Sequence, residues 1–133
     1  MSLDEPHIDT YGTGKVLSEK VNPGMEEALR ARYDALVPGL SRTVVDVAYG
    51  QFYSRGVVDE KTRLLSTIAA LTALGGQTTP QLKVNIASAR SVGASREEIG
   101  EIIFQMTLYG GFPAMINAMN AALDVFELED AAT

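Results

Sequence analysis

Apolar residues recur along the chain at helical spacing, and this pattern predicts six helices. The clearest segment is DEKTRLLSTIAALTALGG, residues 59–76. Its broad apolar face is formed by Leu64, Leu65, Ile68, Leu71 and Leu74. Asp59 stands at the expected N-cap, and a glycine pair stands at the expected end.

Five other segments have the same character, and short turns rich in glycine and proline separate them. They are residues 22–39, 40–56, 78–93, 94–111 and 112–128. No run alternates between apolar and polar residues as a half-buried strand would. The sequence therefore predicts an all-α protein of about six helices.

The first 22 residues show no such period and read as an extended arm with a turn at YGTG, residues 11–14. Asn22 is the expected N-cap of the helix that follows. We therefore expect an N-terminal arm over residues 1–22 and a single helical domain over residues 23–133.

The segment QLKVNIASARSVG, residues 81–93, carries a polar residue inside its apolar stripe. Leu82, Ile86 and Ala89 define the stripe, and Asn85 interrupts it. A buried amide without a hydrogen-bond partner costs about 1–3 kcal/mol. Asn85 is therefore either a core amide with partners or a residue that faces a pocket.

The last helix is apolar on nearly every side, and among its first residues only Asn117, Asn120 and Asp124 interrupt the apolar run. Such a helix must be buried on more than one side. A homo-oligomer is the simplest way to cover it. A helix at the centre of a monomer is the alternative.

A second helix, from Ser95 to Leu108, places several polar residues along one flank. These residues are Glu98, Gln105 and Tyr109, with Glu101 slightly further round. Two acids, an amide and a phenol could line a polar cleft. A solvated helix flank is the alternative interpretation.

Composition narrows the chemistry of any such site. The chain has 133 residues, with Lys and Arg numbering 11 and Asp and Glu numbering 17. A net charge of −6 without a basic cluster argues against nucleic acid or an anionic membrane as partner. The absence of cysteine excludes thiol chemistry. No segment has signal-peptide or membrane-spanning character, so we expect a cytoplasmic protein.

Histidine chemistry is equally restricted, because His7 in the arm is the only histidine. No carboxylate–histidine pair stands at metal-binding spacing, so we expect neither a metal nor a cofactor. A site of carboxylates, amides, Tyr and Arg remains. It could bind a small anionic or carbonyl-bearing molecule and stabilise an enolate.

Three stretches of this chain resemble the carboxymuconolactone decarboxylase family, which includes the alkylhydroperoxidase D-like proteins. They are YGQFYSRGVVDEKTRLLSTIAALTALGG, LKVNIASARSVGASREEIGEIIFQ and YGGFPAMINAM. The family pattern is matched at Arg63, Gly93, Glu97, Glu98, Ile99, Glu101, Tyr109, Gly111 and Pro113. The resemblance implies a bundle of helix hairpins that assembles as a trimer or hexamer.

For the decarboxylase branch, the resemblance implies cofactor-free loss of CO2 from 4-carboxymuconolactone in the breakdown of aromatic compounds. For the peroxidase branch it implies a C-x-x-C pair, but Thr78 and Gln81 occupy those positions here. Thiol peroxidase activity is therefore excluded. At the family histidine this chain has Asn85, which can form hydrogen bonds but cannot transfer a proton at neutral pH.

The leading hypothesis is a lyase for a carboxylated lactone or related β-carbonyl acid. The expected catalytic residues are Asn85, Glu98 and Glu101, and the expected substrate-binding residues are Arg63, Gln105, Tyr109 and Pro113. The proton would come from Glu98, Glu101, Tyr109, water or the arm of a neighbouring subunit with His7. A non-catalytic scaffold oligomer and a lactone isomerase or hydrolase are the alternatives.

Overall fold

A computed structural model of the protein describes residues 8–133, and no strand occurs within that range. The α-helices are α1 (Thr10–Val21), α2 (Met25–Tyr33), α3 (Leu40–Val44), α4 (Glu60–Leu74), α5 (Thr79–Ser91), α6 (Arg96–Gln105), α7 (Thr107–Gly110) and α8 (Phe112–Ala131). A π-helical segment, Val45–Phe52, continues α3, and short 3-10 turns occupy Tyr53–Arg55 and Gly76–Thr78. The all-α prediction is confirmed.

The chain divides into two compact units after Val57, and each is described by itself. In the first unit, residues 10–21 form α1, so the extended conformation expected for the arm is wrong over these residues. The prediction that Asn22 is the N-cap of the next helix is also wrong: Asn22 follows the end of α1, and Gly24, with a φ of 77°, precedes α2. The proposed domain boundary at residue 23 stays a prediction, and His7 lies outside the described residues.

Helix α1 packs closely against the π-helical segment because glycines stand at the contact. A Cβ atom on Gly14 would lie 2.2 Å from the carbonyl oxygen of Val45. A Cβ atom on Gly50 would lie 1.9 Å from the carbonyl oxygen of Thr10. No residue with a side chain could sit at either position without moving one backbone away from the other.

A buried carboxylate joins α1 to α2 in the first unit. Glu26 accepts hydrogen bonds from the Tyr11 hydroxyl at 2.8 Å and from Lys15 Nζ at 2.8 Å. Burial opposes its charge, but the hydrogen bonds from Lys15 and Tyr11 hold the pKa of Glu26 below its ordinary value. Glu26 therefore contributes to the stability of this unit as a charged group.

The second unit begins at Val58 and has a core built from α4, α5, α6 and α8. Its fully buried aliphatic side chains include Ile68, Leu82, Ile86, Ile99 and Ile103. One face of α8 belongs to this core, through Ala114, Met115, Ala118, Ala121, Ala122 and Val125. Ile116, Leu123 and Leu128 of the same helix are exposed, so the single chain covers only part of its apolar surface.

Candidate functional site

The second unit carries an open groove between α4 and α6. Capping side chains fix the start of both helices: Asp59 accepts from the Thr62 N–H at 2.8 Å, and Ser95 accepts from the Glu98 N–H at 3.0 Å. One cavity of about 540 Å³ is lined by Asp59, Glu60, Lys61, Thr62, Leu65, Val92 and Glu98. A second, of about 500 Å³, is lined by Leu65, Glu97, Glu98, Glu101 and Ile102. Because both include Leu65 and Glu98, we treat them together as the α4–α6 groove.

Glu98 lies in both parts of the groove, and both of its carboxylate oxygens have partners. Oε1 accepts the backbone N–H of Ser95 at 2.9 Å, which completes the predicted capping box. Oε2 lies 2.9 Å from Lys61 Nζ. The Ser95 N–H and then the Lys61 ammonium hold the pKa of Glu98 below its ordinary value. Glu98 is therefore a charged acceptor at neutral pH rather than a proton donor.

Two further predicted residues, Glu101 and Gln105, follow Glu98 along α6. Glu101 lines the second part of the groove and accepts a hydrogen bond from Gln105 Nε2 at 3.0 Å. Both side chains are exposed. The structure thus places Glu98, Glu101 and Gln105 on one helix, as the flank pattern predicted, with two of them lining the groove.

Tyr109 and Pro113 lie outside the lining of the groove. Tyr109 belongs to α7 and its exposed fraction is 77%. Pro113 stands in the first turn of α8 and is also exposed. Their expected contact with substrate stays a prediction.

Arg63 lines a different cavity on α4. This cavity measures about 360 Å³ and is lined by Val58, Arg63, Ser66, Thr67 and Ala70. The guanidinium nitrogens of Arg63 are buried from solvent. Arg63 follows Lys61 by two residues, which places the two side chains on nearly opposite sides of α4. The structure therefore does not bring Arg63 into the groove with Glu98.

Asn85 lies on α5 and is half-buried. Its Nδ2 donates a hydrogen bond to the backbone carbonyl of Gln81, one turn earlier, at 2.8 Å. It lines neither the α4–α6 groove nor the Arg63 cavity. The amide that the apolar stripe singled out thus has a hydrogen-bond partner within its own helix.

Lys61 is the groove residue that the sequence analysis missed. Periodicity relates residues within one helix, whereas Lys61 and Glu98 stand on different helices. A lone lysine beside Asp59 and Glu60 carries no motif of its own. Only the packing of α4 against α6 brings its ammonium to Glu98.

Two wider observations apply to residues 8–133. In that range, no three or more histidine and acidic side chains are arranged to hold a metal ion. None of the helices there combines the length and the apolar character needed to cross a membrane.

The fold and the groove define a small all-α protein with a carboxylate-lined site, and comparison with known sequences gives its family. The sequence model of the carboxymuconolactone decarboxylase family matches residues 38–124. The chain belongs to this family, so the resemblance seen in the sequence is confirmed.

Two relatives illustrate the similarity. The uncharacterized 15.0 kDa protein in the nqo9-nqo10 intergenic region of Paracoccus denitrificans is 36% identical over 118 residues, which cover 89% of this chain and 88% of that protein. The 4-carboxymuconolactone decarboxylase of Acinetobacter baylyi is 36% identical over 80 residues. That match covers 60% of this chain and 58% of the decarboxylase.

Proposed function

We propose that the protein is a cofactor-free lyase that removes CO2 from a carboxylated lactone or a related β-carbonyl acid. The α4–α6 groove is the proposed site. The observation that carries the proposal is that, in a chain of this family, the groove holds carboxylates and an ammonium together: Glu98, Glu101 and Lys61. The name of the Acinetobacter relative supports 4-carboxymuconolactone as the first substrate to test, and the breakdown of aromatic compounds as the process.

The reaction is accelerated by groups that stabilise the charge of the transition state more than that of the bound substrate. When CO2 leaves, the electron pair of the broken C–C bond passes towards the lactone carbonyl and gives an enolate. A cation and hydrogen-bond donors stabilise that enolate. When CO2 leaves, the negative charge moves from the carboxylate to the enolate, and the Lys61 ammonium is the cation of the groove that can stabilise it there. The groove therefore favours the departure of CO2 over the bound acid.

The test is a decarboxylation assay on 4-carboxymuconolactone that compares the wild type with four variants. We expect Glu98→Gln to lower kcat about 100-fold or more, because it removes the negative charge that pairs with Lys61, while a Gln can still complete the capping box. Asn85→Ala should retain most of the activity, since Asn85 lines neither part of the α4–α6 groove. Glu127→Gln, at an exposed residue of α8, is the matched control and leaves the rate unchanged.

The Asn85→His variant decides between enzyme and scaffold. Inactivity of both the wild type and Asn85→Ala, with activity only in Asn85→His, would contradict the proposed lyase. A non-catalytic scaffold is the second candidate, and two observations favour it. Both oxygens of Glu98 and the amide of Asn85 are already engaged within the fold, without any substrate.

We further propose that the chain assembles as a homo-oligomer, a trimer or a hexamer. Large apolar side chains are exposed along α6, α7 and the start of α8: Phe104, Leu108, Tyr109, Phe112 and Ile116. We call these five the 104–116 surface. Aromatic side chains of this size each bury about 150–250 Å² when covered, so the set is large for an uncovered surface. A second copy of the chain is the proposed cover.

A further inference from the structure

We propose that Lys61 is the proton donor of the decarboxylation. This inference rests on the proposed function and adds to it a residue that neither the sequence pattern nor the relatives assign. Asn85 lines neither part of the groove, and its amide cannot supply a proton. The lyase therefore needs another donor, and the groove contains one.

The geometry holds the Lys61 ammonium in the groove. Its Nζ lies 2.9 Å from Oε2 of Glu98, and the other oxygen of Glu98 is fixed by the Ser95 N–H at 2.9 Å. Glu98 is therefore anchored at the first turn of α6 and fixes the position of the lysine on α4. The exposed fraction of the Lys61 side chain is 40%, so a ligand in the groove can reach it.

The other candidate donors are less suited to the task. Glu98 is a charged acceptor with both oxygens engaged. Glu101 accepts a hydrogen bond from Gln105, and Tyr109 lies outside the groove. Among the described residues that line the groove, Lys61 is the one cation. Its positive charge also suits it to bind the enolate oxygen.

The decarboxylation takes up one proton in total, and that proton comes from solvent by way of Lys61. The C–C bond to the carboxylate breaks, CO2 leaves, and the electron pair remains on the lactone as an enolate. A new C–H bond forms as an N–H bond of Lys61 breaks, which leaves the lysine as a neutral amine. That amine, still beside Glu98, then takes a proton from water and returns to the ammonium. The net change is the exchange of a carboxylate for a hydrogen.

The test compares Lys61→Arg and Lys61→Met with the same substitutions at Lys83. Lys83 is a matched control, because its Nζ lies 2.9 Å from Asp124 and its exposed fraction is 41%, but it stands outside the groove. Arginine keeps the charge and can keep the ion pair with Glu98, yet a guanidinium does not give up its proton. Both Lys61 variants should therefore lose about 100-fold or more in kcat, whereas the Lys83 variants should stay near the wild-type rate.

Two further readouts separate proton transfer from a structural role. Lys61→Arg should lower kcat with little change in KM, and its melting temperature should match that of Lys83→Arg. The acidic groups that line the groove beside Lys61 are Asp59 at the N-cap of α4, Glu60 on α4 and Glu98 on α6, and Lys61→Arg leaves all three unchanged.

The outcomes distinguish this inference from the proposed function. An active wild type with an equally active Lys61→Arg would overturn the assignment of Lys61 and leave the lyase intact. An inactive wild type would overturn the lyase, and the role of Lys61 with it. An active wild type and an impaired Lys61→Arg with unchanged KM and unchanged melting temperature would support both.

Discussion

Individual polar residues that the sequence predicts to be catalytic, Glu98 and Asn85, also form hydrogen bonds that stabilise the fold. The capping box of Ser95 and Glu98 could be predicted from the sequence, because both residues stand within one turn of one helix. The hydrogen bond of Asn85 could not be predicted from the sequence. An amide in an apolar stripe can bind either a substrate or a backbone carbonyl of its own helix, and the pattern does not distinguish the two. Lys61 was missed because its partner is on another helix.

The buried hydroxyl of Thr72 allows a prediction about stability. Thr72 is 1% exposed, and its Oγ1 has no hydrogen-bond partner in the described part of the chain. Thr72→Val replaces the hydroxyl with a methyl group, so it should raise the free energy of unfolding by about 1 kcal/mol, measured by urea denaturation. Thr67→Val on the same helix is the control. Its hydroxyl donates to the Arg63 carbonyl at 3.0 Å, so that variant should show no gain. A loss of stability in Thr72→Val would contradict this account.

At the element scale, the sequence predicted helices where local signals control them. Asp59, the Ser95 capping box and the glycines before α5 and α8 stand at the expected ends. The expectation failed at α1, whose sequence has weak periodicity and at most two apolar residues on any turn. Its packing depends on glycines of two different elements that approach each other closely. No local signal marks such a long-range contact.

A pair of glycines tests close packing at this scale. A Cβ on Gly110 of α7 would lie 2.9 Å from both the Cα and the carbonyl oxygen of Ala73 on α4. Gly110→Ala must therefore separate the two backbones and should lower stability by roughly 1–3 kcal/mol. Gly100→Ala, within α6, meets nothing within 4 Å and should raise stability by about 0.5–1 kcal/mol. Thermal denaturation measures the difference in stability between the two variants. Equal changes in melting temperature would contradict the close contact between α4 and α7.

At the scale of the whole molecule, fold class and family were predictable, but the site was only partly so. The α6 flank was found because its residues share one helix. Arg63 was grouped with it by resemblance, although it lines a separate cavity on the other side of α4. Which side chains share a cavity depends on how helices pack, and periodicity within each helix does not contain that information.

The proposed assembly also belongs to this scale. Leu108 lies in the 104–116 surface and is 79% exposed, while Leu128, near the end of α8, is 72% exposed. A charge at an apolar interface is costly to bury, so Leu108→Glu should dissociate the oligomer and Leu128→Glu should not. Size-exclusion chromatography with light scattering measures both. A monomeric wild type, or an oligomer that Leu108→Glu leaves intact, would contradict the proposed interface.

We propose that this protein performs a decarboxylation with its own side chains in the α4–α6 groove. The most direct measurement is the release of CO2 from 4-carboxymuconolactone by the purified full chain, with no cofactor or metal added. We expect each molecule of lactone consumed to yield one molecule of CO2, at a rate that Glu98→Gln lowers about 100-fold. No CO2 above the uncatalysed rate from the folded wild type, or an undiminished rate in Glu98→Gln, would contradict it.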